Sequence, residues 1–327
     1  MQHPSAIPKL ATTPRSGAGR VSGVAIAMAI ATTIIAALQP VVMRYGALTM
    51  DPLLFCTIAV SAAALTATVF LVYAGDLALL LRREYLARLF LLSLSGTFAT
   101  SLLLIYGLRR IDAVAGVILL ESEPIYSLVL ATIFLGERPS AKQLIATAAI
   151  LIGIGSVFGA GPAFSPLYAA GLVFVTPLFW QISHVISLRL MPPLRPLTVT
   201  GARYVFSALT LIVTLLVFDH RALRDLTDGS VLLAGGATGA FIYFLGSLSW
   251  YGAISRLSLS WTTALVIPGV PLLSFAFAMI FLGERPTTRE LIGISVAIVG
   301  VIALVRGAEG GRVSAIEAVA AAHQPLA

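Results

Sequence analysis

Glu121 and Glu123 stand two residues apart in ILLESEPIYS, residues 118–127, inside an apolar run long enough to cross a bilayer. A charged side chain at the centre of a lipid-facing helix costs about 2.5 to 3.5 kcal/mol on insertion scales, so each carboxylate needs a water-filled cavity, a partner or a proton. Two residues on a helix are about 200° of rotation, which points the pair at different neighbours. Facing a cavity, either could bind a substrate amine or carry a proton; protonated and bonded to the next helix, it would be structural. Pro124, directly after Glu123, removes a backbone donor and frees carbonyls that must face a cavity or another helix.

Three further places could do chemistry. Arg203, about a third of the way into an apolar run, could clamp a carboxylate through its planar fork, pair with a glutamate, or snorkel to the headgroups. In FWQISH, residues 179–184, Trp180 and His184 are four apart and share one helical face beside Gln181. That face could line a cavity, with His184 able to titrate near neutral pH. Gln39, Tyr106, Trp250, Tyr251 and Trp261 lie near the ends of apolar runs, where interface belts account for most aromatic residues.

These residues have to be placed by membrane helices. The chain has 327 residues, 58% hydrophobic and 11% charged, and its mean hydropathy is +0.99. A soluble domain carries roughly 25% charged residues, so lipid is the main solvent and the fold class is an all-α polytopic membrane protein. Ten apolar runs are predicted to cross: 22–42, 52–74, 89–108, 113–135, 141–158, 168–188, 197–217, 231–251, 260–282 and 289–305. Both tails, 1–20 and 306–327, are polar or alanine-rich and are expected to be disordered. The run after Arg20 reads as a retained first span, since nine comparable runs follow it. With the N-terminus inside, thirteen Lys and Arg fall on the cytoplasmic side and seven opposite, which predicts both termini in the cytoplasm.

The halves repeat. Residues 135–157, LGERPSAKQLIATAAILIGIGSV, and 282–304, LGERPTTRELIGISVAIVGVIAL, share Leu-Gly-Glu-Arg-Pro, and Pro124 and Pro271 precede the two motifs by the same eleven residues. Five spans per half is an odd number, so the second copy enters the membrane from the other side, and the expected architecture is two inverted five-helix repeats, 21–158 and 168–305, joined by a linker at 159–167. Pro124, Pro268 and Pro271 would break the fourth and ninth spans at the midplane. The repeated Glu137 with Arg138 and Glu284 with Arg285 read as hairpin locks, each carboxylate suiting the dipole of the helix that Pro139 or Pro286 begins. Gly235 with Gly239 and Gly293 with Ala297 read as close-packing contacts.

The glutamate-proline of the fourth span, the Leu-Gly-Glu-Arg opening the fifth, and their repetition about 147 residues on resemble the EamA-type permeases of the drug/metabolite transporter superfamily. The resemblance covers roughly residues 24–305 and implies a ten-helix carrier of a bacterial inner membrane, commonly an exporter of amino acids or related small metabolites. It implies that Glu123, before the proline, binds substrate or a proton.

Secondary transport by alternating access is therefore the expected function, with proton coupling through Glu123 or Glu121. No Gly-x-x-x-x-Gly-Lys-[ST] loop is present to bind a nucleotide. An intramembrane enzyme and a membrane sensor are the alternatives. His-Glu-x-x-His is absent, and Lys9 and Lys142 both lie outside the spans, which excludes a retinal Schiff base. Cys56 is the one cysteine, so neither a disulfide framework nor a thiolate metal site is expected. No cofactor or metal is called for. The expected partners are a small-molecule substrate and membrane lipid, with a homodimer left open; basic residues scattered between apolar runs do not form a nucleic-acid surface.

Overall fold

Aspartates and prolines start the helices. Asp51 accepts a hydrogen bond from the Leu54 N–H (2.8 Å) with Pro52 in the first turn, Asp112 accepts from Ala115 (2.6 Å), and Asp228 from Ser230 (2.8 Å). Each carboxylate satisfies a donor that the first helical turn leaves unpaired. The computed structural model describes residues 23–135, 139–155, 167–191, 193–256, 266 and 269–304, and all regular structure among them is helical.

In chain order the helices are α1 (Gly23–Thr49), α2 (Pro52–Ala74), α3 (Arg83–Leu108), α4 (Ala113–Leu120), α5 (Glu123–Leu135), α6 (Ala141–Gly155), α7 (Leu167–Leu190), α8 (Pro196–Phe218), α9 (Gly229–Ile254), α10 (Gly269–Leu282) and α11 (288–304). Seven segments are long and apolar enough to span a membrane: α1, α2, α3, α4 with the start of α5, α7, α8 and α9. The helices α6 and α10 are apolar but shorter.

Helices run further than the apolar pattern predicts. The first extends to Thr49 and the third starts at Arg83. Arg44 does not end α1, because its guanidinium is satisfied within the bundle, by the Leu108 carbonyl (2.5 Å) and the Glu284 carboxylate (3.3 Å).

The packing of one half reappears in the other with partners exchanged. Helix α1 lies against α9 and α10, while α7 lies against α3, α4 and α5; α2 touches the middle of α9, and α8 the middle of α3. Between them, α2 and α8 form the most extensive helix pair. Small residues permit these approaches, as close packing in lipid requires. A methyl group at Gly153 of α6 would stand 2.5 Å from the Gly293 carbonyl and 2.8 Å from the Ala297 side chain of α11, and one at Gly239 would stand 2.1 Å from the Ala59 carbonyl.

Three of the described helices contain π-helical turns: α10 ends in one, Ala278–Leu282, and α3 and α9 carry bulges at matching places. Residues Leu94–Ala99 interrupt α3 nine residues before its end, and Thr238–Leu245 interrupt α9 nine residues before its end. Such wide turns lose the regular i→i+4 bonding and recur at functional sites.

Candidate functional site

The fourth span breaks where its carboxylates are. Helix α4 ends at Leu120, Glu121 and Ser122 form a turn, and α5 restarts at Glu123 with Pro124 in its first turn, where a missing N–H costs nothing. The break is fastened to α7: the Ser122 hydroxyl donates to the Phe174 carbonyl (3.0 Å). Glu123 is half-buried and accepts from the Gln181 side-chain amide at 2.7 Å. Glu121 is buried, and no described residue hydrogen-bonds its carboxyl group. The two carboxylates thus lie on either side of the break in different surroundings.

Helix α7 joins this break to Arg203. A Cβ on Gly96, in the α3 bulge, would meet Ser183 at 2.7 Å and the Arg203 guanidinium carbon at 3.2 Å, so Arg203 crosses the bulge beside the turn of α7 that holds Gln181. Arg203 is buried. It donates from Nε to the Thr97 hydroxyl (2.7 Å), from Nη1 to the Tyr251 hydroxyl (3.1 Å) and from Nη2 to the Gly96 carbonyl.

Neither snorkelling nor a glutamate partner describes it. Among the described residues the ion pairs are Arg44 with Glu284 and Arg195 with Asp76. Arg203 is instead solvated by neutral oxygens, which engage three of a guanidinium's five N–H groups.

His184 packs against Trp250, ring centroids 5.6 Å apart and planes tilted by 32°, and is half-buried. Trp180, on the same face of α7, packs half-buried against the main apolar core. Trp250 and Tyr251 are not interface residues: they meet His184 and Arg203 inside the bundle, and Tyr251 is fully buried. Tyr106 is 38% exposed, consistent with an interface position. Pro271 is buried near the start of α10, while Pro268, Glu137, Arg138 and Trp261 lie outside the described residues. Gln39 is half-buried within α1 and not at its end.

The sequence reading missed Gly96, Thr97, Tyr204 and Tyr243. The Tyr204 hydroxyl donates to the Tyr243 carbonyl (2.7 Å) in the α9 bulge and pairs with the Ser247 hydroxyl (2.5 Å), and the Tyr243 hydroxyl pairs with Ser101 of α3 (3.2 Å). A signal existed in SLSGTFAT, residues 93–100, a run of hydroxyls and one glycine in mid-span.

The second Leu-Gly-Glu-Arg motif does something other than expected. Gly283 takes φ +67°, a left-handed turn that ends α10 and favours glycine. Glu284 then reaches the start of another helix: its carboxylate accepts from the N–H groups of Ala113 (2.8 Å) and Val114 (3.3 Å) on α4 and pairs with Arg44 on α1. Burial holds its carboxyl above the usual carboxylate range, against the lowering effect of those N–H groups and of Arg44. Pro286 does not begin α11. Thr287 and Glu290 form a capping box there, as Ser140 and Gln143 do before α6.

A polytopic helical bundle with a broken span and buried polar side chains converging from both halves is the build of a membrane transporter. A model of the EamA-like transporter family matches twice, at residues 23–159 and 167–306, and the chain belongs to that family. It is 28% identical over 224 residues, 67% of this chain and 72% of the other, to a "Probable terminal-alkyne amino-acid exporter" of Streptantibioticus cattleyicolor. It is 25% identical, over 68% of this chain and 78% of the other, to an uncharacterized transporter of Archaeoglobus fulgidus. A solved crystal structure, 14% identical, superposes at TM-score 0.62 over 85% of this chain and 95% of its own, a likeness of fold alone.

Proposed function

We propose that the protein is a secondary carrier that exports a small amino-acid-type metabolite by alternating access, from a site between the broken fourth span and α7. The observation that carries this is the convergence of Glu123, Gln181, His184, Trp250 and Arg203, drawn from both family repeats, beside a helix break. The similarity to an amino-acid exporter supports the substrate class. A carboxylate for an amine and spare guanidinium N–H groups for a carboxylate fit the same class. Glu121, buried beside the helix break, is the proton-binding candidate, because a charge there is costly and a proton removes it.

The architecture in this reading is ten spans in two inverted repeats, in a bacterial inner membrane with both termini cytoplasmic. The exchanged helix partners support it, as does the gathering of Arg44, Leu108, Ala113 and Glu284 at one end of the bundle while Asp76 bonds Thr198 at the opposite end of α2. The site asks for a small-molecule substrate and a lipid setting, with no cofactor.

The test is a resistance screen in bacteria overexpressing the protein, challenged with amino acids, analogues and toxic metabolites. Export of a tolerated compound is expected to fall at least tenfold in Glu123→Gln, about 1.4 kcal/mol of lost interaction. Unchanged export in that variant overturns the assignment of Glu123. Internal pH in proteoliposomes during export tests coupling, and Glu121→Gln is expected to abolish the proton flux.

A further inference from the structure

Arg203 and Tyr204 are consecutive on α8, and each bonds the bulge of a different helix. Arg203 donates to the Gly96 carbonyl and Thr97 hydroxyl within the α3 bulge, and Tyr204 donates to the Tyr243 carbonyl within the α9 bulge. Two cross-links close the figure: Arg203 reaches Tyr251 on α9, and Tyr243 reaches Ser101 on α3. All of these side chains are buried. The Tyr204 and Tyr243 rings lie 5.9 Å apart, tilted by 31°.

We propose that Arg203 and Tyr204 are positioning residues that clasp the bulges of α3 and α9 together, closing the proposed substrate site on the side of Arg195, and that parting the two bulges is the opening movement on that side. This rests on the transporter reading. The physical case is that this cation has no described acidic partner, so neutral oxygens of two helices supply its solvation. Those oxygens can be exchanged for water only if the helices separate. The arrangement therefore has two settings, clasped and dry or parted and hydrated, as a switching element needs. Bulged turns are where a helix can shift without breaking its remaining hydrogen bonds. The opposite end has its own closure in Glu284, Arg44 and the start of α4, so both settings exist without disturbing that contact.

The experiment reads access from each side and needs no substrate. In a Cys56→Ala background, Ser183→Cys places a thiol at a fully buried position beside Gly96. Its alkylation by a membrane-impermeant maleimide is followed in vesicles of both orientations, with and without Tyr204→Phe. The expected result is a roughly three- to tenfold faster reaction from the Arg195 side in Tyr204→Phe, the scale of one intramembrane hydrogen bond, with no change from the Glu284 side. Ser274→Ala supplies the control, because it removes a buried bond between α10 and α1 (to the Ala37 carbonyl, 2.9 Å) that involves neither bulge nor α8. An unchanged rate in Tyr204→Phe overturns the proposal. So does acceleration from both sides, or an equal acceleration in Ser274→Ala, since either means general loosening. A null result here leaves the export assay unaffected, so the two readings fail separately.

Discussion

The bulges of α3 and α9 occupy the same place in their two halves and are packed with different material. At Gly96 in α3 the neighbours are the side chains of Ser183 and Arg203; at Gly239 in α9 the nearest neighbour is the backbone carbonyl of Ala59. Aligned on Pro52 and Pro196, Ala59 stands where Arg203 stands. One half therefore seals its bulge with backbone against backbone, and the other opens the same space for a guanidinium. The repeated frame is therefore polar at this position on one side only.

The largest effect that distinguishes the two bulges is expected from Gly239→Ala. A carbonyl cannot swing aside, so the added methyl must push α2 and α9 apart, at about 3 kcal/mol or more, read as a lowered unfolding midpoint in detergent. Gly96→Ala comes next, at about 2 kcal/mol, because the Ser183 hydroxyl and the guanidinium can give way while the Ser183 Cβ, 2.7 Å from the added methyl, moves only with α7. If the two variants unfold alike, the contrast between the bulges is wrong. Tyr204→Phe removes one hydroxyl and should cost about 0.6 to 1.7 kcal/mol, measured by the same titration.

The smallest effect concerns Glu284, at the far end. Its folded-state pKa is raised by burial, so its contribution to stability is complete below the ordinary carboxylate range and is lost as pH rises through the elevated value. Melting temperature followed against pH should therefore decline there in the wild type and be flatter in Glu284→Gln. A decline of equal size in both would show that another group is responsible.

How much of this was legible beforehand depends on whether a residue speaks for itself or through a partner. Composition and the repeated Leu-Gly-Glu-Arg-Pro announce a duplicated helical membrane protein, because lipid leaves the backbone few options. The break at Glu121–Ser122 was readable from Pro124, whose chemistry is local. Tyr251 was misread as an interface aromatic because position along a span says nothing about the face, and only α8 decides that its hydroxyl meets a guanidinium. Glu284 was assigned to its own helix for the same reason: its targets, Ala113 and Arg44, are 171 and 240 residues away. The bulges themselves leave no periodic trace, since one wide turn barely disturbs an apolar pattern.

The crossing of α6 and α11 bears on how well such a protein holds a gradient. Gly153 lies so close to Gly293 and Ala297, and Gly300 so close to Ala146 and Ile150, that not even a methyl group fits between them. A file of water needs far more room than that, so this line of contact between α6 and α11 offers water and ions no path.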